Sequence, residues 1–466
     1  MDSKLNNFLE IIKDKNILIQ GLGLNGGGVG VALFFLKNGF NIKITDLKPE
    51  SDLKKSIDIL SPFSQNIEYT LGRHRDEDFL WADFVVKGPA VPPNNKYIIL
   101  AKNNGAIISS DIDIFLNITP SPIFAVTGSK GKSTTVSVIY SIFKSKSTNS
   151  YLGGNITISP LDFFDKLDEN SLVVLELSSW QLRDIANSNF SFKGSAITNI
   201  LNDHQNYYNS ISDYINDKVI IAKNQSKNDF LLLPFKDSYL NNENIRTEAK
   251  KYTFSIDDSS ADFFSDGMNF YFRNSDKPIK LLDTKDIVAK GLGARINILL
   301  AVSFCYLAGI DLDSIRKGVK KFSGVKYRLE LIRELNGIKF YNDTTATIPE
   351  AVIQSIKSFE EPIIWIGGGN DKCLDFSVLK EIVSIPKKIF LLTGDGSDKI
   401  KKILNENRID FIEDSSLENL VNSAFKLSKS GDIILFSPGA TSFGLFQNEF
   451  HRGDVFNEIV FNIKPF

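Results

Sequence analysis

A segment rich in glycine, lysine and hydroxyl side chains carries the clearest chemistry in this sequence. Residues 128–134 read GSKGKST, directly after an apolar run at 123–126 and just before the amphipathic run at 136–143. That order predicts a buried strand, a glycine-rich turn and the start of a helix. The unpaired N–H groups of a helix N-terminus attract phosphate oxygens, and glycine lets the backbone close around them. We therefore predict a phosphate-binding loop.

Two side chains of this loop have the chemistry that a nucleotide triphosphate needs. Lys132 would place a positive charge at the outer phosphates, and the Ser133 hydroxyl could ligate Mg²⁺. The spacing Gly-x-x-Gly-Lys-Ser is shorter than the general P-loop pattern. The alternative is an ordinary strand-to-helix turn with surface lysines, which the flanking strand and helix disfavour.

A buried carboxylate is expected near the same loop. The apolar run at 172–179 predicts the next strand, and Glu176 lies near its C-terminal end. Ligands of parallel α/β sheets bind at that end of the strands. Glu176 is therefore a candidate Mg²⁺ ligand, with capping of the following helix as the alternative.

A second glycine-rich turn occurs near the start of the chain. Residues 21–26 read GLGLNG between a predicted strand and a predicted helix, and Asp46 follows twenty residues beyond the last glycine. This pattern is typical of a dinucleotide site and suggests NAD or FAD. The same turn binds any nucleotide diphosphate, however, and a simple dehydrogenase needs no second phosphate loop. A nicotinamide-dependent oxidoreductase stays the alternative.

Two further polar residues follow the predicted central strands. His204 lies in a polar loop, where a lone histidine is usually solvated. Lys218 falls in a helical run at 214–221, where an exposed lysine is the ordinary expectation. Neither the residue types nor their spacing indicates a functional role for these two residues.

Composition restricts the class of protein. The 466 residues are 42% hydrophobic and 24% charged, with a net charge of −2, so no global field for nucleic acid or an anionic membrane is expected. The two cysteines, Cys305 and Cys373, have no metal-ligand spacing. The N-terminus lacks the pattern of a signal peptide, and no apolar run approaches a membrane span. We expect a cytoplasmic protein, monomeric, with small-molecule partners.

Alternating apolar strands and helical segments predict an α/β fold in three domains. The expected domains are 1–119, 120–323 and 324–466, with hinges at 118–122 and 323–324. We expect short strands and turns over 55–119, including the alternating run at 111–115. Small antiparallel strands are expected over 228–285, among them 230–233 and 270–272.

The motifs in combination resemble the Mur ligase family. They are GSKGKST at 128–134, GGNI at 153–156, LELSSWQL at 175–182, YNDTTAT at 341–347, and SPGATSF at 437–443 followed by FHRG at 450–453. They span all three expected domains in order. The resemblance implies an N-terminal Rossmann-like domain that binds UDP, a central P-loop ATPase-type α/β domain with a parallel sheet, and a C-terminal Rossmann-like domain.

The resemblance also implies an activity, ATP-dependent amide formation in the synthesis of peptidoglycan precursors. The carboxylate of UDP-N-acetylmuramoyl-L-alanine would take the γ-phosphoryl group, and the amine of D-glutamate would attack the acyl phosphate. Phosphoryl transfer is catalysed mainly by positioning and charge neutralisation, which the phosphate loop, Lys132 and two Mg²⁺ ions would supply.

Residue roles follow from the same resemblance. The implied catalytic and metal-binding residues are Lys132, Ser133, Glu176, His204 and Lys218, with Lys218 carbamylated. The implied ATP contacts are Gly128, Ser129, Lys130, Gly131, Lys132, Ser133, Thr134, Asn297, Arg328 and Asp343. The implied contacts to the UDP substrate are Leu24, Asn25, Asp46, Lys48, Asn155 and Ser178. The implied amino-acid pocket comprises Thr347, Lys372 and Ser442.

Three positions depart from the family pattern. Thr345 stands where a lysine is common, Gly293-Ala294 replaces the usual His-Asn, and the order Asn448-Glu-Phe450 shifts an aromatic that normally lines the amino-acid pocket. The identity of the amino acid is therefore the most open point. L-Glutamate, a diamino acid, and a non-catalytic sensor are alternatives; the intact Lys132, Glu176 and Lys218 disfavour the sensor.

Overall fold

The computed structural model of the protein describes residues 2–23, 27–92, 94–156, 158–201, 208, 210–240, 245–275, 277–289, 291–371, 374–442 and 444–464. The chain forms two compact units. The first comprises residues Met1–Thr284 and Asn297–Val319, and the second comprises Lys285–Ile296 and Lys320–Phe466.

The N-terminal part of the first unit is built on a five-stranded sheet of the described residues, in the order β3-β2-β1-β4-β5 with all pairs parallel. Its strands are β1 (Ile17–Gln20), β2 (Ile42–Asp46), β3 (Ile67–Leu71), β4 (Phe84–Lys87) and β5 (Ile107–Ser109). The helices are α1 (Asp2–Ile12), α2 (Gly27–Lys37), α3 (Glu50–Leu60), α4 (Asp76–Trp81), α5 (Lys96–Asn103) and α6 (Asp111–Ile118). This strand order is that of a Rossmann-like sheet, as predicted.

The expectation of short strands over 55–119 is confirmed by β3, β4 and β5, but it misses α4 and α5 and is wrong for 111–115. The alternating run at 111–115 resembled a strand, yet it begins α6. Ser110 caps that helix by accepting a hydrogen bond from the Asp113 backbone N–H at 3.2 Å. In a strand with one exposed face, only alternate residues would be buried. In α6 the consecutive residues Ile114, Phe115 and Leu116 are all buried.

The second sheet has nine strands among the described residues, in the order β14-β13-β12-β11-β10-β9-β6-β8-β7. The strands are β6 (Ile123–Thr127), β7 (Ser150–Gly154), β8 (Leu172–Glu176), β9 (Gly194–Ile197), β10 (Phe230–Pro234), β11 (Lys250–Ser255), β12 (Phe263–Ser265), β13 (Asn269–Phe272) and β14 (Ile279–Asp283). The helices of this part of the chain are α7 (Lys132–Lys146), α8 (Ser179–Asp184), α9 (Ile211–Val219), α10 (Leu292–Leu307) and α11 (Leu312–Lys321).

Strands β6 to β11 of this sheet pair in parallel, whereas β13 pairs antiparallel with both β12 and β14. The antiparallel prediction is therefore confirmed for 270–272 and wrong for 230–233. That run is β10, and it is apolar throughout because it lies inside the sheet between β9 and β11.

The second unit contains a six-stranded sheet of the described residues, in the order β15-β16-β20-β17-β18-β19. The strands are β15 (Glu330–Leu335), β16 (Ile338–Asn342), β17 (Ile363–Gly368), β18 (Lys388–Leu392), β19 (Phe411–Asp414) and β20 (Ile433–Phe436). The helices are α12 (Pro349–Ile356), α13 (Asp395–Glu406), α14 (Leu417–Leu427) and α15 (Glu449–Asn462). The β15–β16 pair is antiparallel and the other pairs are parallel.

Apolar side chains are buried on both faces of the third sheet, in one cluster that includes Trp365 and another that includes Phe390. This double burial explains why the parallel strands read as continuous apolar runs. In the part of the chain that the structure describes, no helix has both the length and the apolar character needed to span a bilayer.

Candidate active site

The predicted phosphate loop connects β6 to α7 and depends on two glycines with positive φ. Gly128 has φ +142° and Gly131 has φ +87°. A Cβ added at Gly128 would lie 1.9 Å from Thr198 Oγ1, and one added at Gly131 would lie 2.3 Å from Asn297 Oδ1. Both positions therefore accept only glycine without a rearrangement. The loop ends at Lys132, the first residue of α7, as predicted.

The end of β9 fixes the backbone of this loop. The Thr198 hydroxyl donates to the Lys130 carbonyl at 2.6 Å, and the Asn199 side-chain amide donates to the same oxygen at 3.0 Å. The Asn199 amide oxygen accepts from the Lys130 N–H at 3.0 Å. Neither Thr198 nor Asn199 was predicted as a site residue. Their position directly after β9, at the carboxyl edge of a parallel sheet, was the signal that could have found them.

Two lysine ammonium groups meet at one carbonyl of the loop. Lys132 Nζ donates to the Gly128 carbonyl at 2.9 Å and to the Ser129 carbonyl at 2.9 Å. Lys218 Nζ donates to the same Gly128 carbonyl at 2.8 Å. Residues 86 positions apart in the sequence thus place two positive charges on the strand-to-helix turn, where a polyphosphate would be attracted.

The expectation of an exposed Lys218 is wrong, because its side chain is only 1% exposed. It lies over the ring of Tyr214, with Nζ 4.6 Å from the ring centroid. Tyr214 is one helical turn earlier on the same face of α9, and its hydroxyl lies 2.9 Å from Ser129 Oγ. The buried face of α9 therefore docks against the phosphate loop.

Glu176 is the last residue of β8 and is 2% exposed. It is in register with Val126 on the adjacent strand β6, which leads into the phosphate loop. Its Oε1 accepts from the Asn155 side-chain amide at 2.9 Å. The cap of the next helix is Ser178, which forms a capping box with Gln181, so the structure does not use Glu176 as a cap.

The Glu176 side chain fits a cation. Its second carboxylate oxygen, Oε2, is buried and has no hydrogen-bond partner among the described residues. A buried carboxylate oxygen normally finds a donor or a metal ion. Within the described residues, no group of three or more His, Cys, Asp and Glu side chains could hold a metal ion. A Mg²⁺ ion at Glu176 would therefore take its other ligands from groups such as the Ser133 hydroxyl, phosphate oxygens and water.

The N-terminal glycine turn is held by Asp46 at the end of β2. Asp46 Oδ2 accepts from the Gly23 N–H at 3.0 Å, and Oδ1 accepts from the Lys48 N–H at 2.9 Å. The Lys48 side chain is exposed, whereas Asp46 is 7% exposed. The carboxylate thus orders the turn that precedes α2. Leu24 and Asn25, predicted on the same turn, lie outside the described residues.

Two of the predicted site residues of the second unit differ in exposure. Asp343 is 5% exposed, and its Oδ2 accepts from the hydroxyls of Ser355 at 2.5 Å and Ser437 at 2.7 Å. Burial raises the pKa of Asp343 to about 6. Arg328 is exposed.

The predicted amino-acid residues of this unit lie on two loops. Thr347 follows β16 and is half-buried, and Ser442 follows β20 and is 4% exposed. Thr345, the departure from the family pattern, donates its hydroxyl to the Tyr327 carbonyl at 2.8 Å. The displaced aromatic Phe450 contacts the Tyr327 ring, with centroids 5.8 Å apart. Lys372 and the metal candidate His204 lie outside the described residues.

Comparison with known proteins shows the family to which this chain belongs. Residues 126–301 match the Mur ligase middle domain. A curated relative from Borreliella afzelii (strain PKo), named UDP-N-acetylmuramoylalanine–D-glutamate ligase, is 43% identical over 97% of this chain and 99% of its own length. The chain belongs to the Mur ligase family. The predicted membership is thereby confirmed, and with it the class of enzyme, a ligase that forms a carbon–nitrogen bond.

Solved structures of Mur ligases share the fold. UDP-N-acetylmuramate-alanine ligase from Thermotoga maritima aligns with a TM-score of 0.63 and 19% identity, over 97% of this chain and 100% of that chain. MurF ligase from Thermotoga maritima in complex with ADP aligns with a TM-score of 0.52 and 17% identity, over 82% of this chain and 97% of that chain. At these identities the likeness concerns the fold alone. The predicted α/β class is confirmed, while the domain boundaries and residue roles stay predictions.

Proposed function

We propose that this chain joins D-glutamate to the terminal carboxylate of UDP-N-acetylmuramoyl-L-alanine at the expense of ATP, in the synthesis of peptidoglycan precursors. The observation that carries the proposal is the 43% identity, over nearly the whole chain, to a ligase named for those two substrates. The phosphate loop with Lys132 and the buried Glu176 supplies the chemistry that such a ligase needs.

The reaction has two steps. A carboxylate oxygen of the muramoyl-alanine substrate attacks the γ-phosphorus of ATP, ADP leaves, and an acyl phosphate forms. The amine of D-glutamate then attacks the acyl carbon, a proton is lost, and inorganic phosphate leaves as the amide forms. The backbone N–H groups around Gly128 and Gly131 would hold the phosphates, and Lys132 would shift from loop carbonyls to the outer phosphates.

Two Mg²⁺ ions are part of the proposal. Ser133 and Glu176 would hold one, and His204 and Lys218 the other. The ions would neutralise the phosphate charge during transfer. Glu176 Oε2, buried and without a hydrogen-bond partner in the described residues, supports the first site.

Lys218 would act as a carbamate. Addition of CO₂ to its amine replaces a cation by an anionic group with metal-binding oxygens, at a position where the side chain is buried beside the phosphate loop. A ¹³C NMR spectrum of protein equilibrated with ¹³C-bicarbonate tests this. A carbamate resonance that disappears in Lys218→Met is expected, and an identical spectrum for both proteins would contradict it.

The substrate contacts are proposed from the positions that the family resemblance indicates. Leu24, Asn25, Asp46 and Lys48 would bind the uridine and diphosphate, and Asn155 and Ser178 the muramoyl-alanine arm. Asn297, Arg328 and Asp343 would bind the nucleotide, and Thr347, Lys372 and Ser442 the glutamate. The fit of Asn297 against Gly131 supports its place at the phosphate loop. The three-domain division, a monomeric state and a cytoplasmic location are part of the same proposal.

One observation favours a second candidate, addition of L-glutamate to the same acceptor. Thr345 and the shifted Phe450 both lie beside Tyr327, near the loop of Thr347. Phosphate release from ATP, measured with the acceptor and either D-glutamate, L-glutamate or no amino acid, separates the two. Release with D-glutamate alone supports the proposal. Release with L-glutamate alone replaces it, and no release with either amino acid contradicts both candidates.

A further inference from the structure

Arg452 is a fully buried cation in the second unit. It lies in the first turn of α15 with a relative exposure of 0%. Its guanidinium donates from Nε to the Thr344 hydroxyl at 3.0 Å, from Nη2 to the Thr344 carbonyl at 2.9 Å, and from Nη1 to the Ala440 carbonyl at 3.1 Å. One planar side chain thus joins two separate loops at the edge of the third sheet.

The two loops are those that carry the proposed amino-acid pocket. Thr344 lies three residues before Thr347, and Ala440 lies two residues before Ser442. Both stretches follow strands, β16 and β20, that are parallel neighbours, so their carboxyl ends meet at one edge. Displacement of either loop would move a proposed glutamate contact.

Neighbouring residues allow the guanidinium to reach the first loop. Gly453 packs against Thr344, since an added Cβ would lie 2.6 Å from Thr344 Cγ2. The Asn342 side-chain amide donates to the Gly453 carbonyl at 3.0 Å, and the Thr344 hydroxyl donates to the Glu449 carbonyl at 2.9 Å. The start of α15 is therefore built around this contact.

The guanidinium of Arg452 has neutral hydrogen-bond acceptors. Within the described residues no carboxylate forms an ion pair with it, and its partners are two carbonyls and a hydroxyl. Burial lowers the pKa of the guanidinium to about 10, and Glu449 opposes that shift. Buried cations are usually paired with an anion. A dicarboxylate substrate in the adjoining pocket would provide the opposite charge.

We propose that Arg452 is a positioning residue for the amino-acid pocket, fixing the loops of Thr347 and Ser442 and giving the pocket a positive potential that favours an acidic amino acid. This inference rests on the proposed ligase function. Arg452 contacts the loops and acts on the substrate through them and through its charge.

The test compares Arg452→Met with Arg452→Lys in the full-length protein. KM is measured separately for ATP, for the muramoyl-alanine acceptor and for the amino acid that the wild type uses. Arg452→Met is expected to raise KM for the amino acid by about tenfold or more, with KM for the other two substrates changed less than about twofold. Arg452→Lys keeps the charge and part of the hydrogen bonding. Its rise in KM for the amino acid should therefore be at most half that of Arg452→Met on a logarithmic scale.

Arg333 provides a matched control. Its Nη1 donates to the carbonyls of Val460, Phe461 and Ile463 at 2.8, 3.0 and 2.9 Å, so it ties the opposite end of α15 to β15. Arg333→Met should lower the melting temperature without a selective rise in KM for the amino acid.

The outcomes separate the two proposals. Absence of phosphate release by the wild type with either glutamate would contradict the proposed function, on which this inference rests. An active wild type whose Arg452→Met variant loses affinity equally for all three substrates, or shows unchanged KM for the amino acid, overturns the inference alone. If Arg452→Met does not fold, Arg452→Lys and Arg452→Gln are measured instead. A wild-type KM for the amino acid in both of these variants overturns the proposed positioning role.

Discussion

Replacing Glu176 by glutamine is expected to stabilise the magnesium-free protein while removing most of its activity. Glu176 is 2% exposed, its Oε1 is hydrogen-bonded to Asn155, and its Oε2 has no hydrogen-bond partner among the described residues. Glutamine has the same shape, and its side-chain carbonyl can still accept from Asn155. The substitution therefore removes the charge at Oε2 with little other change.

The magnitude follows from the desolvation of that oxygen. An unsatisfied buried polar group costs about 1–3 kcal/mol, and more when it is charged. Glutamine leaves a neutral NH₂ in the same place, so we expect a gain of about 1–2 kcal/mol in the free energy of unfolding. For a unit of this size, that corresponds to a rise of about 2–4 °C in melting temperature. Loss of a metal ligand should lower kcat at least about 100-fold.

Thermal unfolding in buffer with EDTA measures the change in stability, and unfolding with Mg²⁺ and ADP measures the response to ligand. The phosphate-release assay measures kcat. The glutamine variant should melt above wild type with EDTA and should gain less from Mg²⁺ and ADP. The control is Asp184→Asn, which breaks the buried ion pair of Asp184 with Lys87 at 2.7 Å, where both side chains are 6% exposed. That control should lose about 3 kcal/mol. A Glu176→Gln protein that melts below wild type with EDTA, or keeps wild-type kcat, would refute the reasoning.

Three further predictions concern the loop, the buried lysine and the second unit. Gly131→Ala should weaken ATP binding at least about tenfold by isothermal titration, because its Cβ would clash with Asn297; Gly39→Ala, with a similar φ of +84° and open space, should not. Lys218→Met should lower kcat about 1,000-fold in the phosphate-release assay. Its control Lys223→Met alters an exposed lysine bonded to the Ala186 carbonyl and should retain wild-type kcat; equal losses would contradict a role for Lys218. Asp343, with a pKa raised to about 6, keeps a proton in the folded chain that the unfolded chain releases near pH 4, so its stabilising contribution is present below about pH 4 and lost as pH rises through 6. Urea unfolding should show that the wild type loses about 2 kcal/mol in free energy of unfolding relative to Asp343→Asn between pH 4 and 6. An identical pH dependence of the two unfolding free energies would contradict this.

The phosphate loop was predictable because its signals are local. Strand, glycine turn and helix start are encoded within residues 123–143, and the structure has them at those positions. The position of Glu176 at the carboxyl end of a parallel strand was predicted by the same logic and is confirmed, while its role as a ligand stays a prediction.

Lys218 and Asn155 show where sequence reasoning ends. The burial of Lys218 depends on the docking of α9 against a loop 90 residues away, although its place on the same face as the apolar Tyr214 was a usable hint. The hydrogen bond from Asn155 to Glu176 joins the ends of β7 and β8, and no local sequence pattern predicts it. The contacts of Arg452 are still more remote, since they connect residues 108 positions apart.

The most direct test of the account is phosphate release from ATP and Mg²⁺ by the purified protein with UDP-N-acetylmuramoyl-L-alanine. Reactions with D-glutamate, with L-glutamate and without an amino acid are run in parallel, and the product is identified by mass spectrometry. The proposed ligase should give sustained phosphate release and amide product with D-glutamate only. Release that is equal in all three reactions, or absent from all three, would contradict it.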